Sequence, residues 1–136
     1  MKKMNYMIPV IVILCIIIIA SGQAKRQQTK GDTGMGFEQI SQLEAKRIMA
    51  GEEGYIIVDA RTEGEYMTGH IPGAICIPNE SIGTKMPEEL PDLNQLILVY
   101  CRSGNRSKQA ARKLAEIGYT NIKEFGGINT WDGEIE

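Results

Sequence analysis

Cysteine and histidine are scarce in this chain, with three of the first and one of the second. Cys15, Cys76 and Cys101 are odd in number and include no Cys-x-x-Cys pair, which argues against a disulfide framework, and with only His70 beside them no metal site is expected. A basic excess is also missing. The formal net charge is -2, so composition gives no reason to expect a nucleic-acid partner, and any electrostatic attraction has to be local. No internal repeat or low-complexity tract follows residue 37. With 136 residues, 43% hydrophobic and 24% charged, the chain has room for one core and not comfortably for two, and a monomeric domain is the simplest expectation.

One segment lacks charge altogether. Lys2 and Lys3 precede an apolar stretch containing "IPVIVILCIIII", after which "SGQAKRQQTKGDTGMG" turns polar and glycine-rich. Residues 1–22 therefore read as a signal peptide or transmembrane anchor, 23–36 as a polar linker, and 37–136 as the domain. From Tyr6 to Gly22 the 17 residues would span roughly 25 Å as a helix, just under the about 30 Å of a hydrocarbon core. The reading adopted is a single-pass anchor through residues 6–22; the alternative is export with cleavage near Gly22 or Ala24. Leu14 stands where a lipoprotein needs a small residue, so lipidation of Cys15 is not expected. Basic residues flank both ends, and an N-terminal apolar segment with lysines ahead of it predicts a domain on the extracytoplasmic side.

From Phe37 onward helix and strand signals alternate. Ser41 with Glu44, and Thr62 with Glu65, have capping-box spacing, which starts one helix over about 41–50, with Leu43, Ile48 and Met49 on its apolar face, and a short second helix. "YIIVDA", "AICIP", "LILVYC" and Ile122 to Phe125 are strand candidates, and "SKQAARKLAEIG" carries a stripe of Ala110, Ala111, Leu114, Ala115 and Ile117 stopped by Gly118. The alternation implies an α/β domain with a largely parallel sheet, whose ligands bind beyond the carboxyl ends of the strands. Cys101 ends one such strand.

Between Cys101 and Ala115 there is no acidic residue. "CRSGNR" must curl, Gly104 and Asn105 tolerate the positive φ a curl needs, and its N–H groups, the following helix N-terminus and Arg102, Arg106, Lys108, Arg112 and Lys113 favour an anion at the centre. A cysteine there should ionise easily, since such surroundings lower a thiol from about 8.5 into the range of roughly 3.5 to 7.5. The residues thus predict a thiolate nucleophile in an anion cradle. Asp59 and Arg61 are expected to pair with charges such as Glu63 or Glu65 and support the loop from beneath. His70 is expected to make a structural hydrogen bond, and Trp131 to close the core. Cys76 reads as a core cysteine, with a resolving thiol for Cys101 as the alternative.

These motifs resemble a single-domain rhodanese, a sulfurtransferase module: Cys101, four residues, Arg106 and Ser107, with "VDAR" and "GHIPGAICIP" upstream and "GGINTW" downstream, over about residues 37–131. The resemblance implies a rhodanese-like fold, a mostly parallel five-stranded sheet flanked by helices on both faces. It implies that Cys101 takes sulfane sulfur from thiosulfate or a persulfide donor as a cysteine persulfide and passes it to a thiol or cyanide, without a cofactor. Arg102, Ser103, Gly104, Asn105 and Arg106 would then hold the substrate, with Asp59, Arg61 and Ser107 as loop support. Related phosphatases and arsenate reductases carry one more residue between cysteine and arginine, so the four here point to sulfur transfer. A non-catalytic binding or sensory module is the other alternative, and such members often lack the cysteine.

Overall fold

The computed structural model describes residues 34–136. The expected leader and the linker up to residue 33 lie outside these residues, and among the described ones no helix is long and apolar enough to cross a membrane. Five strands and three helices follow in order: β1 (Glu38–Gln39), α1 (Gln42–Gly51), β2 (Tyr55–Asp59), α2 (Glu63–Met67), β3 (Ile75–Cys76), β4 (Leu96–Cys101), α3 (Asn105–Ile117) and β5 (Ile122–Gly127). All strand pairs are parallel, in the order β1-β5-β4-β2-β3, with β4 at the centre. The sheet is the rhodanese-like arrangement that the resemblance implied.

Period-two alternation gives each central strand two buried faces, as parallel sheets require. Ile97, Val99 and Cys101 of β4 join Val58, Ile122 and the Ala110, Ala111, Leu114 stripe of α3 in one core layer. Leu98 and Tyr100 point the other way, into a layer with Ile57, Phe125, Ile71, Ala74 and the Ala45 and Ile48 of α1. Helices thus cover both faces. α1 is rotated from its expected setting: Leu43 is 60% exposed, while Ala45 is fully buried. β1 escaped the sequence reading because two polar residues carry no periodic signal. Packing also begins earlier than expected, since Met35 lies against the α3 layer.

Both capping signals are realised. Ser41 Oγ accepts from Glu44 N–H at 3.1 Å, and Thr62 with Glu65 forms the reciprocal box at the start of α2. α3 ends at Gly118, whose φ of 124° lets its N–H reach the Ala115 carbonyl while that of Tyr119 reaches Leu114.

Candidate active site

β4 delivers Cys101 to the carboxyl edge of the sheet, and α3 begins at Asn105, two residues ahead of the expected start near Ser107. The turn between them rests on Gly104 alone, with φ 104°; Asn105 is already helical, and no non-glycine residue among those described has positive φ. The loop carbonyls are turned away from the centre. Arg102 O accepts from Asn129 N–H at 3.1 Å, and Gly104 O accepts from Lys108 N–H at 3.3 Å. The amides are correspondingly turned inward, and Gly104 N–H lies 3.0 Å from Cys101 Sγ.

Cys101 is 1% exposed. Burial by itself pushes its thiol up, but hydrogen bonds from the Ser107 hydroxyl and from the N–H groups of Ser107, Gly104 and Ser103 outweigh it, and the thiol lies below its ordinary value. The arginines contribute less than their number suggested, because the nearest is neutralised. Arg106 forms a two-pronged bond with Glu65 of α2, at 2.6 and 2.9 Å, and this pairing holds the Glu65 carboxyl at about 2. In the sequence Glu65 stands out as a capping residue and as a partner for Asp59 and Arg61, with no sign that it would reach Arg106 from another helix. Arg102, Ser103 and Asn105 are exposed at the mouth, and among the described residues Arg102, Lys108 and Arg112 make no ion pair. Lys113 donates to the Asn79 carbonyl at 2.8 Å.

Asp59 and Arg61 do not pair with Glu63 or Glu65. They pair with each other, Arg61 Nη2 lying 2.6 Å from Asp59 Oδ2, and both are buried. Tyr100 Oη donates to the same carboxylate at 2.7 Å and accepts from Ile71 N–H at 3.1 Å, while Arg61 Nη2 also reaches Gly69 O at 2.7 Å. Asp59 and Tyr100 stand side by side in register, on the face opposite Sγ, so this group fastens the strand that carries Cys101 and leaves the loop untouched. Tyr100 went unnoticed within "LILVYC", although a hydroxyl at an inward position of an apolar strand demands a partner.

Cys76 shares a register level with Asp59 and Tyr100, hence the face away from Cys101, and β2 lies between the two strands. Two strand spacings amount to about 9.6 Å, whereas a disulfide needs Cα atoms within roughly 4.4 to 6.8 Å. The resolving-thiol alternative is thereby overturned. Burial, then Asp59 and Glu63, push the Cys76 thiol up, and its Sγ lies 3.6 Å from the Arg61 carbonyl. His70 stacks on Tyr66 with ring centroids 3.8 Å apart, and its ring nitrogens contact Tyr66 O and Glu136 Oε1. Trp131 packs on Phe125 at 5.8 Å in the α1 layer.

Beneath the loop, β5 carries one extra residue, since Glu124 pairs with Val99 but Gly127 with Cys101. This bulge keeps both Glu124 and Gly127 on the Cys101 side. Glu124 is 3% exposed, and its Oε1 accepts from the Ser107 hydroxyl at 2.6 Å and from Gly126 N–H at 2.8 Å. Glu124 was not singled out from the sequence, and Gly127 entered only as part of "GGINTW". The signal available was a charged residue at an inward strand position of "IKEFGG".

Residues 41–134 match the rhodanese-like domain family. The thiosulfate sulfurtransferase PspE of Escherichia coli is 37% identical over 71 residues, covering 52% of this chain and 68% of the relative. Among solved structures, SSP1007 from Staphylococcus saprophyticus superposes with a TM-score of 0.61 at 32% identity, covering 73% of this chain and 98% of the other. A rhodanese with anions from E. coli superposes with a TM-score of 0.55 at 32% identity, over 60% of this chain and 96% of the other. The chain spans only about a fifth to a quarter of the longer fungal adenylyltransferase and sulfurtransferase relatives that it also matches. A family match over more than half of its length, on the fold and loop described above, makes this chain a member of the rhodanese-like family of sulfurtransferases.

Proposed function

We propose that Cys101 is a nucleophile that takes sulfane sulfur from thiosulfate or a persulfide and hands it to a thiol or cyanide. The Cys101 thiolate attacks the outer sulfur of thiosulfate, a new S–S bond forms, the old one breaks, and sulfite leaves with the electron pair. An acceptor thiolate or cyanide then attacks the terminal sulfur of the persulfide, and the Cys101 thiolate departs. The anionic sulfur remains within reach of the loop amides throughout, and one oriented donor to a developing anion is worth roughly 2.7 to 4 kcal/mol. The observation that carries this reading is the set of inward N–H groups of Ser103, Gly104 and Ser107 around Sγ, with Gly104 N at 3.0 Å. Exposed Arg102 at the mouth suits an anionic donor. The names of the relatives, a thiosulfate sulfurtransferase and a rhodanese with anions, agree with this chemistry.

Intact mass before and after thiosulfate or a persulfide tests it. The expected gain is one sulfur atom on the native chain and none on Cys101→Ser, and the absence of any gain with both donors would remove sulfur transfer. We further place the domain outside the cytoplasm, held by residues 6–22, on the strength of their uncharged run and the lysines ahead of it. Digestion of intact and opened cells by an added protease checks this, with cleavage in intact cells as the expected result.

A further inference from the structure

Gln42, the first residue of α1, has no part in the sulfur chemistry above, yet its side chain reaches the far end of β5, beside the reactive loop. Its carboxamide nitrogen donates to Gly127 O at 2.8 Å and to Thr130 Oγ1 at 3.0 Å. These two acceptors stand at the two ends of residues 127–130. A carbonyl oxygen can only accept, so the nitrogen of the carboxamide has to face Gly127 O, and its two N–H groups serve the two partners. The Thr130 hydroxyl gives its own proton to Gly127 O at 3.2 Å, which closes the triangle. The start of α1 is fixed independently of these bonds: Gln39 pairs with Glu124 of β5, Ile40 N–H donates to Glu124 O at 2.9 Å, and Ser41 caps the helix. Gln42 therefore works from a firm base. A Cβ built on Gly126 would lie 3.8 Å from Gln42 Nε2, so the carboxamide also packs against the glycine corner of the turn.

The turn that Gln42 holds is the one that holds the loop. Between its gripped ends, Asn129 N–H donates to Arg102 O at 3.1 Å, and the Gly127 main chain lies so close to the same carbonyl that no Cβ would fit. Arg102 O thus faces the turn, and the amides that follow it face the sulfur, Gly104 N–H lying 3.0 Å from Sγ. We infer that Gln42 is a positioning residue for Cys101, whose carboxamide staples residues 127–130 and through them aims the loop amides at the sulfur. Methionine, of the same length but without a donor, would leave Gly127 O with the Thr130 hydroxyl as its remaining side-chain partner. The turn is then free to shift, the amides lose part of their aim, and Cys101 ionises less readily.

This inference rests on the reading of Cys101 as the nucleophile, but its test does not depend on sulfur transfer. The rate of Cys101 alkylation by iodoacetamide is followed against pH in the native chain, in Gln42→Met and in Lys46→Met, with the alkylated cysteine located by mass. Gln42→Met is expected to shift the profile to higher pH and to react several-fold more slowly below the native midpoint. Lys46→Met is the control on the same helix: it cuts α1 from Asp132 and from the Trp131 ring while leaving the carboxamide and its partners in place, so its profile should match the native one. An unmoved Gln42→Met profile would overturn the proposal. So would an equal shift in Lys46→Met, because any loosening of α1 would then have the same effect. If Gln42→Met does not fold, Thr130→Val decides, since it removes one end of the staple and the hydroxyl bond to Gly127 O; a shift to higher pH supports the proposal and an unmoved profile refutes it. A chain whose profile moves with Gln42 but that gains no sulfur from any donor would retain the positioning role and lose the proposed function.

Discussion

At residue 127 the absence of a side chain decides where the reactive loop lies. A Cβ built there would overlap the Arg102 carbonyl oxygen and lie 2.5 Å from the Arg102 carbonyl carbon and 2.6 Å from Ser103 Cα, and backbone cannot yield as a flexible side chain would. The Arg102 carbonyl is already fixed by Asn129 N–H, so the loop has no free direction in which to retreat. Gly127→Ala is therefore expected to cost about 1 to 3 kcal/mol, the usual range for overpacking, and to shift Cys101 alkylation to higher pH as the amides lose their aim. Denaturant titration and the alkylation profile check the two parts separately. Arg102 presents the opposite case, an exposed cation without an ion-pair partner among the described residues. Arg102→Ala should leave stability and the Cys101 profile unchanged while raising KM for thiosulfate several-fold, an effect that added salt reduces. Equal KM values at low salt would separate Arg102 from donor binding.

The elements around the loop are held together by one carboxylate with two tasks. Glu65 closes the capping box of α2 and grips Arg106 in the first turn of α3. Its folded-state value of about 2 lies below its ordinary 4.5, so the pair's contribution to stability is complete above about pH 4.5 and is lost as pH falls from there toward about 2. Arg106 is shifted upward and stays charged throughout. Because the two side chains are 27% and 31% exposed, water screens the pair, and a contribution of about 1 kcal/mol is expected. Glu65→Gln should thus be less stable than the native chain at pH 7 and equal to it near pH 2. Parallel loss at both pH values would show that the capping hydrogen bonds, rather than the charge, matter.

Across the whole molecule, what could be read in the sequence was what is local in it. Capping pairs, the α3 stripe and the apolar strands lie within short windows, and so does the run from Cys101 to Ser107. What escaped were meetings arranged by the sheet: Glu65 on Arg106, Tyr100 on Asp59, and Glu124 under Ser107. Strand pairing and the helices packed on the sheet bring these residues together across separations of 41, 41 and 17 positions, and no periodicity encodes it. The largest of these long-range devices is the Asp59, Arg61 and Tyr100 group, which also ties Gly69 and Ile71 to the central strands. Asp59→Ala would leave the buried Arg61 guanidinium without a counter-charge, with the Gly69 carbonyl and the Tyr100 ring beside it, and breaking a buried pair in this way costs about 3 to 5 kcal/mol. Against the 5 to 15 kcal/mol typical of a domain, that loss threatens folding itself. Tyr100→Phe is the gentler probe. It removes a donor from Asp59 and leaves Ile71 N–H without its acceptor, for an expected loss of about 1 to 3 kcal/mol by denaturant titration. Since the hydroxyl lies on the opposite face from Sγ, the Cys101 alkylation profile should not move, and a shift there would mean that the strand transmits changes from one face of the sheet to the other.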